Sequence, residues 1–600
     1  MPSPSLLQRL KERKLVQWAI AYLCGAWVLV EATNLVVEQF SWPQVVGQVV
    51  TILAFLGFFV VLVIAWYHGE KGRQWVSGPE LLIIALLLLI SGGVLSMLGG
   101  GGDVPAPAAD LDRVATEDER PGVAVIPCAN MSADPADGYL ASSLHDEILL
   151  RLQKISSLVS IGRTSVLRYA DTPPATNVIA SELGVGFVGE CSVQKYGDQI
   201  RVIFQLLDGR TGSHVWADDF DRVLTAENLF DIQSDIAQQV AHTVGAILTG
   251  EEQSRIEAVP TQNLEAYEAY MLGRYHLNRR DDPQVAFSEA ERYFQIAIRE
   301  DPDLAVAHAA LAETYSVMAI WGFRDPREIL PEADRWARSA LAIDTTVAEA
   351  YSVLAQTEFV QDWNWVESER RIQRALELSP SDPDEHRGYT EFLLAQGRIE
   401  EARQQLRIAT ALDPLSSPTL GSQVRVALYS RIYEEADGAV EVILTRDPEN
   451  TSAAWALALP SLFGGHPEQA ERLFRDESRD TASLRPDQRA TRAVILSLLG
   501  EAELAKTEIQ EAASSWDDRY FEPRSIWRTY AVLGAKDEAF YWMGRSIDVQ
   551  SINSAFIGVT PFADPLRDDP RYQALLNRIG LGHLKARFDS LAAARPSGGM

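Results

Sequence analysis

The residue types that commonly do chemistry are scattered along this chain of 600 residues. Its nine histidines form no H-x-x-x-H pair, no serine stands in G-x-S-x-G, and no P-loop motif occurs. Asp218, Asp219 and Asp221 are close enough in sequence to hold a cation together. Successive strand residues alternate between faces, however, which favours an exposed strand end. The sequence therefore predicts no catalytic residues, no metal site and no cofactor.

One glycine pattern has the same spacing as a dinucleotide-binding motif. Residues 184–189 spell G-x-G-x-x-G. The dinucleotide fingerprint needs a strand before it and a helix after it, so that the helix N-terminus meets the pyrophosphate. Here the pattern predicts a helix before and a strand after, so nucleotide binding is not expected.

The chain has three cysteines, and none has zinc-like spacing. Cys24 lies inside an apolar run. Cys128 and Cys191 fall on predicted strands of one domain, so they could form a disulfide in an oxidising compartment. The alternative is two small buried side chains that do not pair. Both interpretations stay open.

The charge of the chain is strongly acidic and unevenly placed. The formal net charge is −29, whereas residues 1–100 hold six Lys or Arg and five Asp or Glu. The remaining 500 residues are therefore acidic, which argues against a nucleic-acid backbone as partner, because phosphate binding needs clustered Lys and Arg. Solubility, or basic protein partners, fits this charge.

Three apolar runs occupy the first hundred residues, at 16–37, 45–67 and 81–98. Each is long enough to cross a bilayer core of about 30 Å as a helix. Basic residues precede the first run and lie between the second and third, whereas the other flanks have none. We therefore expect three transmembrane helices in residues 1–99 of a multi-pass bacterial inner-membrane protein, with a cytoplasmic N-terminus and residues 100–600 in the periplasm.

Glu31 is an unusual residue for such a run, because a carboxylate within a membrane is unfavourable and usually faces protein. It lies about one helical turn from Asn34, on the same face. The pair could form a helix–helix contact, and the chain a homo-oligomer through its transmembrane helices. Alternatively, Glu31 is close enough to the interface to be hydrated.

Residues 100–120 have the composition of a flexible linker, with GGGG followed by PAPAA. From residue 121 to about 250, short apolar runs and amphipathic periodicity predict an α+β sandwich, with helices packed on one sheet. Its strands are expected at 123–127, 158–161, 187–194, 201–207 and 213–220, and its helices at 139–155, 164–170, 175–183 and 229–248.

Three segments of this module carry a resemblance: VAVIPCANMSADPADGYLASSLHDEILLRL, SIGRTS, and ELGVGFVGECSVQKYGDQIRVIFQLLDGRTGSHVWADDFDR. Together they resemble the TolB amino-terminal-like (FlgO-like) domain, which occurs with helical repeats in CadC/ToxR-type regulators and in some class III adenylate cyclases. The apolar start also looks like a membrane anchor attached to such modules. Only about 14 residues precede the first run. We therefore expect no DNA-binding or cyclase domain there, and the relatives' output activity is not carried over.

In residues 263–581, proline recurs at a fixed interval after aspartate or serine. Asp413-Pro414 and Asp447-Pro448 lie 34 residues apart, and Ser379-Pro380 lies 34 before Pro414. The helical pattern between these marks resembles an all-α tetratricopeptide (TPR) solenoid, whose units must stack because none buries its apolar face alone. We expect about eight units, loop insertions near 279–283 and 321–330, a capping helix at Pro570–Arg578, and a tail at 582–600.

The groove of such a solenoid binds polypeptides through polar side chains on the first helix of each unit. By position, Arg387, Glu391 and Arg425 are expected to face it, although a solvated face with nothing bound is the simpler alternative. The resulting hypothesis is a membrane-anchored periplasmic scaffold or sensor that binds protein or peptide partners and does no catalysis. The alternatives are a regulatory component that acts through a separate transcriptional or cyclic-nucleotide output protein, and an enzyme with an unrecognised site.

Overall fold

The computed structural model describes residues 120–279, 282–446, 451–468, 470, 484–516 and 520–584. All of them belong to one compact unit, Asp112–Met600. The first part of this unit is a sheet with helices, and the rest is a succession of paired helices.

A mixed sheet of six strands forms the first part. Its strands are β1 (Gly122–Val125), β2 (Ala129–Asn130), β3 (Val159–Ser160), β4 (Phe187–Tyr196), β5 (Gln199–Asp208) and β6 (His214–Val223). β1 lies between β3 and β4 and runs parallel to both. β4, β5 and β6 form an antiparallel meander, and β2 pairs with β4 in parallel.

Helices cover both faces of this sheet. They are α1 (Gly138–Gln153), α2 (Arg163–Val166), α3 (Thr176–Leu183) and α4 (Ala226–Val244), followed by α5 (Gly250–Ile256). Val123 and Val125 of β1 share a core with α1 and α4, whereas Ala124 and Ile126 share one with α2 and α3. Alternate residues of a strand point to opposite faces, so this short apolar strand is buried on both sides.

The predicted elements of this part are confirmed, with small shifts of their ends. The expected helix at 164–170 is α2 followed by a 3-10 turn, Leu167–Tyr169. β2 and α5 were not predicted. At residue 184 the chain adopts a left-handed conformation, with φ 68°, which ends α3, and β4 follows. The G-x-G-x-x-G segment therefore lies after a helix and before a strand, opposite to the order that pyrophosphate binding needs.

The helical array contains paired antiparallel helices. The pairs are α6 (Leu264–Leu277) with α7 (Pro283–Glu300), α8 (Ala305–Ile320) with α9 (Pro326–Ile343), α10 (Ala348–Gln361) with α11 (Trp365–Leu378), α12 (Pro383–Ala395) with α13 (Ile399–Leu412), α14 (Ser417–Ser430) with α15 (Asp437–Arg446), α17 (Pro486–Leu498) with α18 (Ala502–Ser514), and α19 (Arg524–Val532) with α20 (Lys536–Asp548). α16 (Thr451–Gly464) precedes α17, and α21 (Pro570–Arg578) has the bounds predicted for the cap.

Aspartate followed by proline starts several of these helices. Asp282, Asp325, Asp382 and Asp569 are N-caps whose carboxylates each accept a hydrogen bond from a backbone N–H in the first turn. The proline that follows has the φ that a helix needs, and it lacks only an N–H that would have no intrahelical partner. Asp413-Pro414 instead follows a helix, since Asp413 is the C-cap of α13.

The array curves so that the first helices of the pairs lie on its inner side. Successive first helices contact each other, as α8 does with α10 and α12 with α14. Among the described residues, successive second helices make no contact of similar extent. Elements on the inside of a curve are closer together than those outside, so α8, α10, α12 and α14 line a concave face.

Residues after α20 fold back on the middle of the array. The 3-10 segment Ile552–Phe556 contacts α10 and α12. The Nε1 of Trp365 donates a hydrogen bond to the carbonyl of Ile579 over 2.8 Å, and Arg431 donates to the carbonyl of Val559 over 2.9 Å. The last helices are therefore held against pairs that precede them by more than a hundred residues.

The first part of the unit meets the array at a surface that we call the junction, formed by Gly162, Ser165, Ser381 and Asp413. The N–H of Gly162 donates to the carbonyl of Leu412 over 2.7 Å. Asp413 accepts hydrogen bonds from both the N–H and the hydroxyl of Ser165, the former over 2.8 Å. The Ser381 hydroxyl donates to the carbonyl of Leu158 over 2.6 Å.

The predicted fold class and localisation need correction. Among the residues that the structure describes, no helix combines the length and apolar composition needed to cross a bilayer. The longest, α4, has 19 residues and contains Glu227, Asp231 and Asp235. The structure is mainly helical with a TPR-like solenoid, and it does not support the three predicted transmembrane helices. It therefore does not support the predicted multi-pass inner-membrane protein with a periplasmic part, or oligomer contacts through such helices. The runs 16–37, 45–67 and 81–98 lie outside the described residues.

Candidate functional site

Polar side chains connect successive first helices along the concave face, and we call this set the inner row. Arg274 of α6 pairs with Glu313 of α8 at 2.8 Å. The Ser316 hydroxyl of α8 donates to Gln356 of α10 over 2.7 Å, and Ser352 of α10 donates to Glu385 of α12. The last link is an ion pair of 2.6 Å between Glu391 of α12 and Arg425 of α14. The inner row thus continues over five successive first helices.

The half of the inner row from α8 to α12 is acidic. Glu313, Glu349 and Glu385 recur at intervals of 36 residues, one on each first helix. The side chain of Glu313 is 35% exposed and that of Asp384 is 75% exposed, so solvent reaches this surface. These two carboxylates are therefore accessible to solvent.

The environment disfavours the charged forms of Glu313, Asp382 and Glu385. Burial raises the pKa of Glu313, and the charges of Glu349 and Asp384 act in the same direction, against the opposing effect of Arg274. Burial and then neighbouring carboxylates raise the pKa of Asp382 and, well above its usual range, that of Glu385. Like charges on a concave surface raise each other's pKa because each ionised group disfavours the next. A cation placed among them would be stabilised.

Lys154, which directly follows α1, brings a positive charge from the first part of the unit towards this acidic half. Burial and then Arg151 lower the pKa of Lys154, whereas Glu349 raises it. One lysine does not neutralise the several carboxylates of α8, α10 and α12.

Of the residues predicted to face the groove, Glu391 and Arg425 belong to the inner row, and Arg387 lies beside them on α12. Arg387 pairs with Asp384 at 2.9 Å, and Glu391 accepts a hydrogen bond from Ser422 over 2.7 Å besides its pair with Arg425. Burial lowers the pKa of Arg387, but Asp384 and then Glu391 raise it overall. The structure brings these side chains together, and their part in binding stays a prediction.

The acidic residues of the row were missed in the sequence. Glu313, Glu349 and Glu385 are 36 residues apart, but α8 and α10 begin 43 residues apart, at 305 and 348, so the three carboxylates do not occupy one position of the repeat. Glu313 is the ninth residue of α8, whereas Glu349 and Glu385 are the second and third residues of α10 and α12. The repeat pattern therefore does not mark them in the sequence.

The other predicted site residues fall elsewhere. Cys128 and Cys191 are joined by a disulfide, with their Cα atoms 4.6 Å apart, so the structure brings them together. Glu31 and Asn34 lie outside the described residues.

The aspartates at 218, 219 and 221 lie within β6 rather than at a strand end. Arg201 of β5 pairs with Asp221 at 3.2 Å across the sheet. Within the described ranges no group of three or more His, Cys, Asp or Glu could hold a metal ion.

Comparison with known proteins gives one curated relative. "Putative adenylate cyclase 3" of Rhizobium meliloti (strain 1021) is 33% identical over 204 residues. The match covers 34% of this chain and 33% of the relative, so this chain spans about a third of the relative's length. No protein-family model matches the chain.

Solved structures with helical repeats are also similar. A tetratricopeptide repeat protein from Parabacteroides merdae ATCC 43184 has 12% identity and a TM-score of 0.33, over 45% of this chain and 100% of its own. PilW, a type IV pilus biogenesis factor, has 15% identity and a TM-score of 0.32, and the match covers 39% of this chain and 99% of PilW. Yeast Tom70 has 14% identity and a TM-score of 0.32, and the match covers 59% of this chain and 82% of Tom70. At TM-scores this low, these likenesses carry no argument about function.

Proposed function

We propose that the chain is a protein-binding scaffold whose inner row binds a polypeptide segment that carries Lys or Arg side chains. The observation that carries this proposal is the series Glu313, Glu349 and Glu385, which places one carboxylate on each of three adjacent first helices. A bound cation next to each carboxylate would lower the raised pKa of Glu313 and Glu385 and so favour binding. The sandwich at 121–250 and the array at 263–581 remain the proposed domains, and we propose that the former is TolB-like.

The test is selection of peptides from a random display library by the full-length chain, followed by affinity measurements. The variant Glu313→Gln/Glu349→Gln/Glu385→Gln removes the carboxylates while keeping polar side chains of similar size. We expect selected peptides to be rich in Lys or Arg and to bind this variant at least about tenfold more weakly, which corresponds to about 1.4 kcal/mol.

A matched control removes three negative charges from second helices, as Glu367→Gln/Glu377→Gln/Glu401→Gln on α11 and α13. It makes the same number of Glu→Gln replacements and is expected to keep the affinity within about twofold, because charges far apart in salt solution are screened. Equal loss of affinity in both variants would mean that only net charge matters. Unchanged binding by the inner-row variant would exclude the inner row as the binding surface.

A second candidate function is a regulatory role in cyclic-nucleotide signalling, through a separate output protein. The match to part of the curated adenylate cyclase relative is the observation that favours it. Purified full-length chain incubated with ATP and Mg²⁺ is expected to form no cyclic AMP by itself. Formation of cyclic AMP would contradict the non-catalytic role and make the chain an enzyme.

A further inference from the structure

Three arginines converge where the concave face of α14 meets the last helix pair. Arg425 lies one turn before Tyr429 on α14, and Arg524 lies one turn before Arg528 on α19, so each pair shares a helix face. A guanidinium N–H of Arg528 donates to the Tyr429 hydroxyl over 3.3 Å, which links the two helices.

The segment Ile552–Phe556 completes this cluster from a third side. Arg524 donates a hydrogen bond over 2.9 Å to the side-chain oxygen of Asn553, which carries no charge. The Phe556 ring lies 5.5 Å from the Tyr429 ring and 5.8 Å from the guanidinium carbon of Arg425. The guanidinium groups of the three arginines therefore surround one small region.

This region has more positive than negative charge. Arg425 pairs with Glu391, whereas among the described residues Arg524 and Arg528 form no ion pair and donate instead to the neutral side chains of Asn553 and Tyr429. The guanidinium carbon of Arg528 also lies 4.8 Å from the centroid of the Phe562 ring, which is an aromatic contact and not a counter-charge. The nearby Glu522 accepts hydrogen bonds from the hydroxyl of Ser551 over 2.6 Å and from the backbone N–H of Arg524 over 3.1 Å.

The positive charge is also poorly solvated. Arg528 is only 8% exposed, and its Nε has no hydrogen-bond partner among the described residues. Burial, and then the charges of Arg528 and Arg425, lower the pKa of Arg524, although Glu522 acts against them. A buried cation without a counter-charge is destabilising unless an anion accompanies it.

We propose that Arg425, Arg524 and Arg528 form a binding site for an oxyanion, either a carboxylate or a phosphate, carried by the polypeptide that occupies the inner row. Planar guanidinium groups donate paired hydrogen bonds to such groups. The identity of the carrier rests on the proposed function, whereas the anion site itself is tested without a peptide. The bound polypeptide would then be basic towards α8 and carry an anionic group towards α19.

The test follows the melting temperature of the full-length chain with increasing sodium phosphate, and separately sodium acetate, with total ionic strength held constant by sodium chloride. A ligand that binds only the folded state raises the melting temperature. We expect a rise of about 1–2 °C at saturation in the wild type. A rise with phosphate alone indicates a site for a phosphate group, a rise with acetate alone indicates a site for a carboxylate, and a rise with both indicates a site that accepts either group.

The decisive variant is Arg524→Gln, with Arg370→Gln on the second helix α11 as control. Arg370 is 71% exposed and pairs with Glu367, so its loss removes the same charge away from the cluster. We expect Arg524→Gln to abolish the rise without lowering the melting temperature in chloride, because it removes a like charge from beside two arginines. A rise that persists in Arg524→Gln, or no rise in the wild type, would overturn the anion site.

Failure of the anion-site proposal is distinguishable from failure of the proposed function. If phosphate or acetate stabilises the wild type through Arg524 while no basic peptide is selected, the anion site stands and the polypeptide ligand is wrong. If basic peptides bind through the glutamates while neither anion stabilises the chain, the scaffold stands and the anion site is wrong.

Discussion

The junction and the inner row both contain polar groups of the helical array, but they differ in how those groups are buried and which partners they have. At the junction, Gly162, Ser165 and Ser381 donate hydrogen bonds to specific acceptors, and most of these atoms are buried. On the inner row, carboxylates with a raised pKa lie beside each other while partly exposed.

This difference separates a structural interface from a binding surface. Buried polar groups with matched partners fix one arrangement of the chain. Charges that are held near like charges, yet reachable from solvent, destabilise the free protein and are characteristic of functional sites. We therefore expect mutations at the junction to change the stability of the fold, and mutations on the inner row to change the affinity for a ligand.

Gly162→Ala should have the largest effect. A Cβ at residue 162 would lie 2.7 Å from the Cγ of Asp413 and 2.8 Å from that of Pro383, closer than atoms can pack. We expect the free energy of unfolding to fall by about 3 kcal/mol, measured from urea denaturation, because overpacking forces the two surfaces apart. Gly544→Ala, in a helix with open space around it, should instead be neutral or slightly stabilising. Equal stability of Gly162→Ala and wild type would contradict the junction.

Asp413 should make the stability of the junction depend on pH. Burial raises the pKa of Asp413 to about 6, with Ser165 acting against that rise. Because the folded-state pKa exceeds the ordinary value near 4, the contribution of this group is fully present below pH 4 and is lost as pH rises to about 6. The loss amounts to about 3 kcal/mol. In Asp413→Asn this part of the pH dependence should disappear; if it remains, another group carries it.

Ser381→Ala should destabilise the chain by about 1 kcal/mol in urea denaturation. The change removes the donor to the carbonyl of Leu158 at a position that is completely buried. Ser288→Ala is the control, because its exposed hydroxyl bonds only within its own helix, to Gln284. An effect no larger than that of the control would show that this contact does not hold the junction.

Glu385→Gln on the inner row should have the smallest effect on folding, and of opposite sign. Since burial raises the pKa of Glu385, its ionised form disfavours the folded state above that pKa. We expect a gain of about 0.5 kcal/mol at pH 9 that vanishes at pH 4, when wild-type Glu385 is protonated. A loss of stability at pH 9 would mean that the carboxylate is structural.

Local sequence patterns predicted much of the fold. Proline after aspartate, glycine in turns and helical periodicity marked element ends, and α21 was predicted with its observed bounds. These signals act within a few residues, through caps and backbone conformation, so they are visible in one sequence. The strand β2 has only two residues and gave no periodic signal.

The site was predictable only in part, because its parts come from distant positions. Arg387, Glu391 and Arg425 could be placed from the repeat pattern of one or two units. Arg524 and Arg528 could not, since they reach Arg425 only because the array curves until its last helices contact its middle. Curvature results from packing along every pair, and no short segment encodes it.

Hydrogen–deuterium exchange of the full-length chain, with and without a selected basic peptide, tests most directly whether the inner row is the binding surface. We expect slower amide exchange on the inner-row helices α8, α10 and α12, and unchanged exchange around Gly162 and Asp413 at the junction. Slower exchange at the junction or on the sheet, with none on these three helices, would contradict binding at the inner row.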